Sequence, residues 1–278
     1  MSVAEQQTYV IDELSRALAR GAADLPTLPA AAAEALRLAQ SSDMSFPDVV
    51  RVVEQDPALT ARILSVANSP LYWRGLQIAS LQQALVRLGI QSTRDVLYMA
   101  VYGSSLFKAG QYQARVQRVF EQAVLVARAA RRVAALSRLD PDLAFLAGLL
   151  HDVGRARCYR ILARRRLRRD PIEVEEAVEM LHAQAGAELA EAWNLPPAVA
   201  EACAHHAAPG PEQVMSRVVA IAADLVSVLD AHDPEGLVAR GVLEKLAMLG
   251  VRDANVSSLI EDCRGDREQR GHSSPSFG

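Results

Sequence analysis

The sequence predicts an all-α protein in two lobes, and three observations predict it. Ala and Leu dominate a chain of 278 residues, while aromatic residues make up only 5%, a balance that favours helix. Apolar residues recur at helical spacing, and Asp-Pro pairs at 56–57, 140–141 and 170–171 each offer a capping side chain followed by a proline suited to the first turn. No stretch shows the convincing alternation of a half-buried strand, and there is no fixed-period repeat.

Taken in order, residues 3–22 form an amphipathic helix with Val3, Val10, Leu14 and Leu18 on its apolar side. Pro26 and Pro29 force an extended turn. Residues 30–40 are Ala-rich and helical. Asp43 or Ser45 caps a helix at 46–55 with Pro47 in its first turn. Asp56 caps the next helix, which ends near Asn68-Ser69-Pro70. Ser80 caps a helix carrying Leu81, Leu85 and Leu88, and Gly89 terminates it. A further apolar helix spans 91–108. A long helix follows at about 114–138, with Val116, Val119, Phe120, Ala123, Val124 and Ala127 on one side. Asp140-Pro141 opens the helix that ends at His151-Asp152. Residues 171–181 read as a short helix and His182 opens another, reaching Trp193. Residues 197–206 are helical, and a Pro/Gly break at 209–211 leads to a long apolar helix ending at Leu229. Helices at about 235–248 and 254–263 complete the fold, and 265–278 reads as a disordered polar tail. The domain plan is an N-terminal helix (1–22), an N-lobe (about 23–110) and a second helical lobe (about 114–264).

Bulk composition narrows the function. Half of the residues are hydrophobic, 23% are charged and the net charge is −3, so the chain is not a generic nucleic-acid binder. Cys158, Cys203 and Cys263 are odd in number and lack CxxC spacing, which excludes a disulfide framework or zinc knuckle and points to a reducing cytoplasm. No basic-then-apolar leader opens the chain and no run approaches a membrane span, so a cytoplasmic protein without membrane contact is expected.

Charge is unevenly distributed. Residues 155–169 hold eight arginines and no acid, leaving 22 basic against 33 acidic residues elsewhere. On a helical wheel Ala156, Tyr159, Ala163 and Leu167 form an apolar stripe, and Arg157, Arg160, Arg164 and Arg168 run beside it. With Arg155, Arg165 and Arg169, these residues are candidates for binding an anion or a partner. The plain alternative is a solvated helix face.

The chemistry concentrates at 146–154, where an apolar run ends in His151, Asp152 and Gly154. A neutral imidazole and a carboxylate are good ligands for a divalent ion. A self-satisfying His–Asp pair near a helix end is the plainer reading, and the dipeptide alone favours it. Four of the six histidines (His151, His182, His205 and His206) fall in one 56-residue window, and Asp224 sits in an apolar helix downstream. Clustered His and Asp on successive helices suit metal-dependent phosphohydrolysis, where the ion lowers the pKa of a bound water. Against this, His182 reads equally as a helix-start residue and His205-His206 as a C-terminal cap. Asp224 is harder to dismiss, because an unpaired buried carboxylate is costly; pairing with His151 is its expected fate.

Leu25-Pro26-Thr27-Leu28-Pro29, Glu54-Gln55-Asp56-Pro57-Ala58-Leu59-Thr60, Ala67-Asn68-Ser69-Pro70 and Ala84-Leu85-Val86-Arg87-Leu88-Gly89 resemble the successive signatures of the HDOD domain. That domain is a bacterial signalling relative of the HD and HD-GYP phosphohydrolases. Gly148–Gly154, Trp193-Asn194-Leu195-Pro196 and His205-His206 continue the resemblance over roughly 10–264. It implies that His151, Asp152 and Asp224 occupy three of the four HD ligand positions, and that His182 with His205 or His206 matches a second-metal set. It also exposes a departure. The fourth position, an upstream His, falls near Gln122, and no His precedes 151. The Gly-Tyr-Pro ending of the HD-GYP branch is absent, and the basic residue after the Gly is Arg155.

The resemblance therefore implies a non-catalytic HDOD signalling module with a degenerate metal site and no catalytic residues. It implies no cofactor beyond a weakly bound divalent metal, and signalling proteins or an anionic ligand such as a nucleotide as partners. A phosphohydrolase acting on a nucleotide or cyclic dinucleotide is the alternative. Anion or nucleic-acid binding through Arg155–Arg169 is the third reading, with nucleic acid not favoured.

Overall fold

The computed structural model describes residues 3–20, 30–69, 72–102, 108–164, 170–230 and 241–270. Among them the chain is all-α, with no strand. It divides into two compact units, one formed by Met1–Leu25 with Phe107–Arg267 and the other by Pro26–Leu106 with Glu268–Gly278. The motif at 25–29, Pro70, Arg165, Arg168 and Arg169 lie outside the described residues.

The smaller unit holds α2 (Ala30–Gln40), α3 (Phe46–Val53), α4 (Pro57–Ala67) and α5 (Leu81–Tyr102). Ser45, not Asp43, caps α3, its side chain accepting from the Asp48 amide. Asp56 caps α4 by accepting from the Leu59 amide at 3.2 Å. Gly89 takes φ 73° inside α5 and separates two helical segments, a left-handed conformation that favours glycine. Asn68 closes the loop before α5, donating to the Ile78 carbonyl at 2.7 Å and accepting from its amide at 2.8 Å.

The larger unit holds α1 (Val3–Ala19), α6 (Gln113–Leu136), α7 (Pro141–Leu150), α8 (Val153–Arg164), α9 (Pro171–Ala192), α10 (Pro197–His205), α11 (Val214–Asp230), α12 (Val242–Met248) and, as far as Arg267, α13 (Asp253–Arg270). α1 buries Val10, Leu14 and Leu18 and packs against α8 and α9, so it belongs to this core. α6 lies along α7 and α11, burying Val116, Phe120, Ala123 and Ala127.

Two expectations are corrected. Residues 171–192 form one continuous helix rather than two that meet at His182. Nothing near 181–182 breaks a helix, and Gly186 is tolerated because it packs against Gly154 and Cys203. The last helix runs through Arg270, past the tail boundary expected at 265. Its extension is held from α6, where Arg128 pairs with Asp266 at 3.4 Å and Arg132 also reaches Asp266. Arg267 donates to the Leu229 carbonyl. No helix among the described residues is long and apolar enough to cross a membrane.

Candidate metal centre

The centre is built at the corner between α7 and α8. Asp140 starts α7 by accepting from the amides of Asp142 (2.9 Å) and Leu143 (3.0 Å). The helix is then buried from Ala144 to Leu150, which carries His151 and Asp152 to the edge of the core. Gly154 sets what lies opposite. A Cβ there would fall 1.9 Å from the His182 carbonyl oxygen and 2.5 Å from the Gly186 nitrogen. Only glycine lets the start of α8 press backbone to backbone on α9, and that contact brings His182 to Asp152. α10 supplies His206 just past its end.

The result is one carboxylate surrounded by three imidazoles. His151 Nε2 lies 3.6 Å from Asp152 Oδ2, while His182 Nε2 (3.6 Å) and His206 Nε2 (3.5 Å) approach Oδ1. Ligand atoms of His151, Asp152 and His206 all fall within 4.8 Å of one another. Each ring is turned by its other nitrogen. Nδ1 of His151 donates to the Gly148 carbonyl at 2.7 Å, that of His182 to Glu179 at 2.7 Å and that of His206 to Ala202 at 3.1 Å. A carbonyl can only accept, so Nδ1 carries a proton in each ring, and Nε2 is the nitrogen that faces Asp152.

Three imidazole nitrogens beside one carboxylate make a donor set suited to a divalent ion. The Nε2–carboxylate separations of 3.5–3.6 Å lie close to the roughly 3–3.5 Å between ligand atoms that share one ion at bonds of about 2.1 Å. Among the described residues His182 Nε2 is buried without a hydrogen-bond partner, the mark of a group waiting for one. Burial and the neighbouring His151 push His206 down to about 4, which keeps it neutral and ligand-competent. Burial works to raise Asp152, but the positive charge available at His151, Arg155, His206 and His182 prevails and holds it near 2. The residues present fit a divalent metal, which His151, Asp152 and His206 would hold, with His182 beside the carboxylate.

The other expected ligands stand apart. His205 is exposed, because consecutive helical residues point about 100° apart and its neighbour takes the inward direction. Asp224 does not join the cluster and does not pair with His151 within ion-pair distance; its Oδ2 accepts from Lys245 Nζ at 2.8 Å. Gln122 is exposed on α6.

The arginine helix is also revised. Arg157 is buried to 1% side-chain exposure, donating to the Ala185 carbonyl (2.9 Å) and to Glu188 (2.8 Å), so it faces α9 and not an external anion. Arg155 reaches Asp152 through Nε at 3.0 Å and Glu179 through Nη1 at 2.8 Å. The charge run is matched in part inside the fold, since α9 carries six glutamates and no Lys or Arg. Arg160 is half-buried and Arg164 exposed. Glu179 and Lys245 escaped the sequence reading. The signal for Glu179 was its spacing, three residues before His182 as Arg155 is three after Asp152.

An all-α bundle with His and Asp gathered at a helix corner is the arrangement that the HDOD resemblance implies. The chain belongs to the HDOD domain family, which matches residues 25–209. It is 25% identical over 250 residues to an uncharacterised protein of Treponema pallidum (strain Nichols), a match covering 83% of this chain and 48% of that one. It is 35% identical over 146 residues to ribonuclease Y of Opitutus terrae, covering 50% of this chain and 24% of that enzyme. The chain thus spans about half the length of the first relative and a quarter of the second. Among solved structures, an HDOD domain protein of unknown function from Geobacter sulfurreducens superposes with a TM-score of 0.60 at 23% identity, covering 94% of this chain and 98% of that one. A candidate phosphohydrolase from Shewanella amazonensis SB2B does so with a TM-score of 0.64 at 20% identity, covering 95% and 96%. These likenesses establish the fold.

Proposed function

We propose that this protein is a non-catalytic HDOD regulatory module, acting by binding partner proteins or a ligand, whose His–Asp centre holds a single divalent ion. The observation that carries the reading is that side-chain cations already sit on both carboxylates of the HD set. Arg155 bonds Asp152, and Lys245 bonds Asp224. The absence of any His before 151 supports it further. Asp152 and the three imidazoles remain as one neutralised centre, short of the ligands that would bind and polarise a phosphodiester.

Turnover of cyclic dinucleotides and phosphomonoesters with added Mn²⁺, Fe²⁺ or Mg²⁺ tests this. The expected rate equals that of His151→Ala. Hydrolysis that the wild type performs and His151→Ala loses contradicts the reading.

A hydrolytic reading has its own support in the convergence of three imidazoles on Asp152 and in the segment shared with ribonuclease Y. RNA therefore belongs among the substrates assayed. An anion-binding role for α8 is weakened by the internal pairing of Arg155 and Arg157. It would show as binding to RNA or DNA that falls steeply with salt.

A further inference from the structure

Arg155 links the interior of the centre to the surface. Its guanidinium is one-fifth exposed and spans two carboxylates, Asp152 inside the centre and Glu179 on α9, which is 65% exposed. Glu179 is tied to the same centre a second way, because its carbonyl takes the Nδ1 proton of His182. A metal ion at the centre and the Arg155 guanidinium call on the same oxygen, Asp152 Oδ1, which also faces His182 and His206. One carboxylate oxygen cannot give full charge to both.

We infer that Arg155 is a resident cation that competes with the metal for Asp152, and that Glu179 sets the strength of that competition by drawing the guanidinium outward. The inference rests on the metal-binding reading of the centre. Glu179 is thus a positioning residue: it acts on the metal through Arg155. With Glu179 in place, part of the guanidinium's hydrogen bonding is directed away from Asp152. Without it, the whole fork and its uncompensated charge fall on Asp152. A partner or cation that occupies the exposed Glu179 carboxylate would therefore weaken metal binding without touching a ligand.

The experiment is titration of the full chain with Co²⁺ alone, whose visible absorption reports both occupancy and coordination. It uses the wild type, Arg155→Gln, Glu179→Gln and the double variant, with thermal denaturation as a check on folding. Loss of a supporting outer-shell partner costs about 10–100-fold in metal affinity, and loss of a competing cation is expected to act on the same scale in the opposite direction. Arg155→Gln is expected to tighten Co²⁺ binding by about tenfold and Glu179→Gln to weaken it several-fold. The discriminating result is the double variant. It should bind as tightly as Arg155→Gln, because Glu179 has no effect once Arg155 is gone. Glu179→Gln weakening Co²⁺ by the same factor in both backgrounds would overturn the inference, since Glu179 would then act by its charge alone. Equal affinity in all four proteins would overturn it while leaving the metal site standing. If none of the four folded proteins binds Co²⁺, the metal-binding reading falls and the inference with it.

Discussion

Asp152 and Asp224 are both carboxylates in apolar helical surroundings, and the fold treats them differently. Asp152 stands at a helix corner pressed onto α9 by the Gly154 contact, and three imidazoles turn towards it. Asp224 lies in the body of α11, where the ammonium of Lys245 on α12 meets it. A centre arises where backbone contacts fix several side chains onto one point. A carboxylate without that convergence can be met by a nearby cation, and a 2.8 Å ion pair with a half-exposed lysine does not make a metal site.

The sharpest way to break this contrast is at Gly154. Gly154→Ala places a methyl group 1.9 Å from a backbone oxygen that cannot yield. We expect it to destabilise the fold by about 3 kcal/mol or more, or to prevent folding, as measured by urea denaturation. A variant of near wild-type stability would mean that α8 and α9 do not approach this closely, and the convergence on Asp152 would lose its cause.

A smaller effect separates the two regions by pH. His206 is held at about 4 in the folded protein against 6.5 for an ordinary imidazole. The unfolded chain therefore takes up this proton first as pH falls. The associated stability is complete above 6.5 and is lost as pH falls towards 4. Between pH 7 and pH 5 the metal-free protein should lose about 2 kcal/mol by this route. His206→Gln should flatten that segment of the stability–pH curve; an unchanged slope would place His206 in contact with water.

The smallest effect is expected at the other carboxylate. A double-mutant cycle on Asp224→Asn and Lys245→Gln should give a coupling below about 1 kcal/mol, because the lysine is half-exposed. A coupling several times larger would make Asp224 a buried, demanding group like Asp152 and erase the contrast.

Much of this was legible in the sequence, and the exceptions share a cause. Asp56, Ser80 and Asp140 mark helix starts through local hydrogen bonds, so local pattern suffices. The rise of an apolar run into His151 and Asp152 is equally local. The reach of His182 and His206 to the same point could be suspected from their clustering, but the choice of His206 over His205 is a matter of helix phase against a distant neighbour. Arg157 reads as a surface cation on a wheel, yet Glu188 and the Ala185 carbonyl, far along the chain, draw it inside. Asp224 fails for the same reason, since Lys245 lies 21 residues away on another helix. The continuous α9 shows the converse: Gly186 weakens a helix locally and is retained because Gly154 needs the space.

The comparison between the two carboxylates is tested most directly by metal stoichiometry at saturation. Elemental analysis after loading with Mn²⁺ and removal of free ion would be run on the wild type, His151→Ala and Asp224→Asn. One ion per chain, lost in His151→Ala and retained in Asp224→Asn, is the predicted result. Two ions per chain, one of them lost in Asp224→Asn, would show that Asp224 is a working ligand and contradict the account of a single neutralised centre.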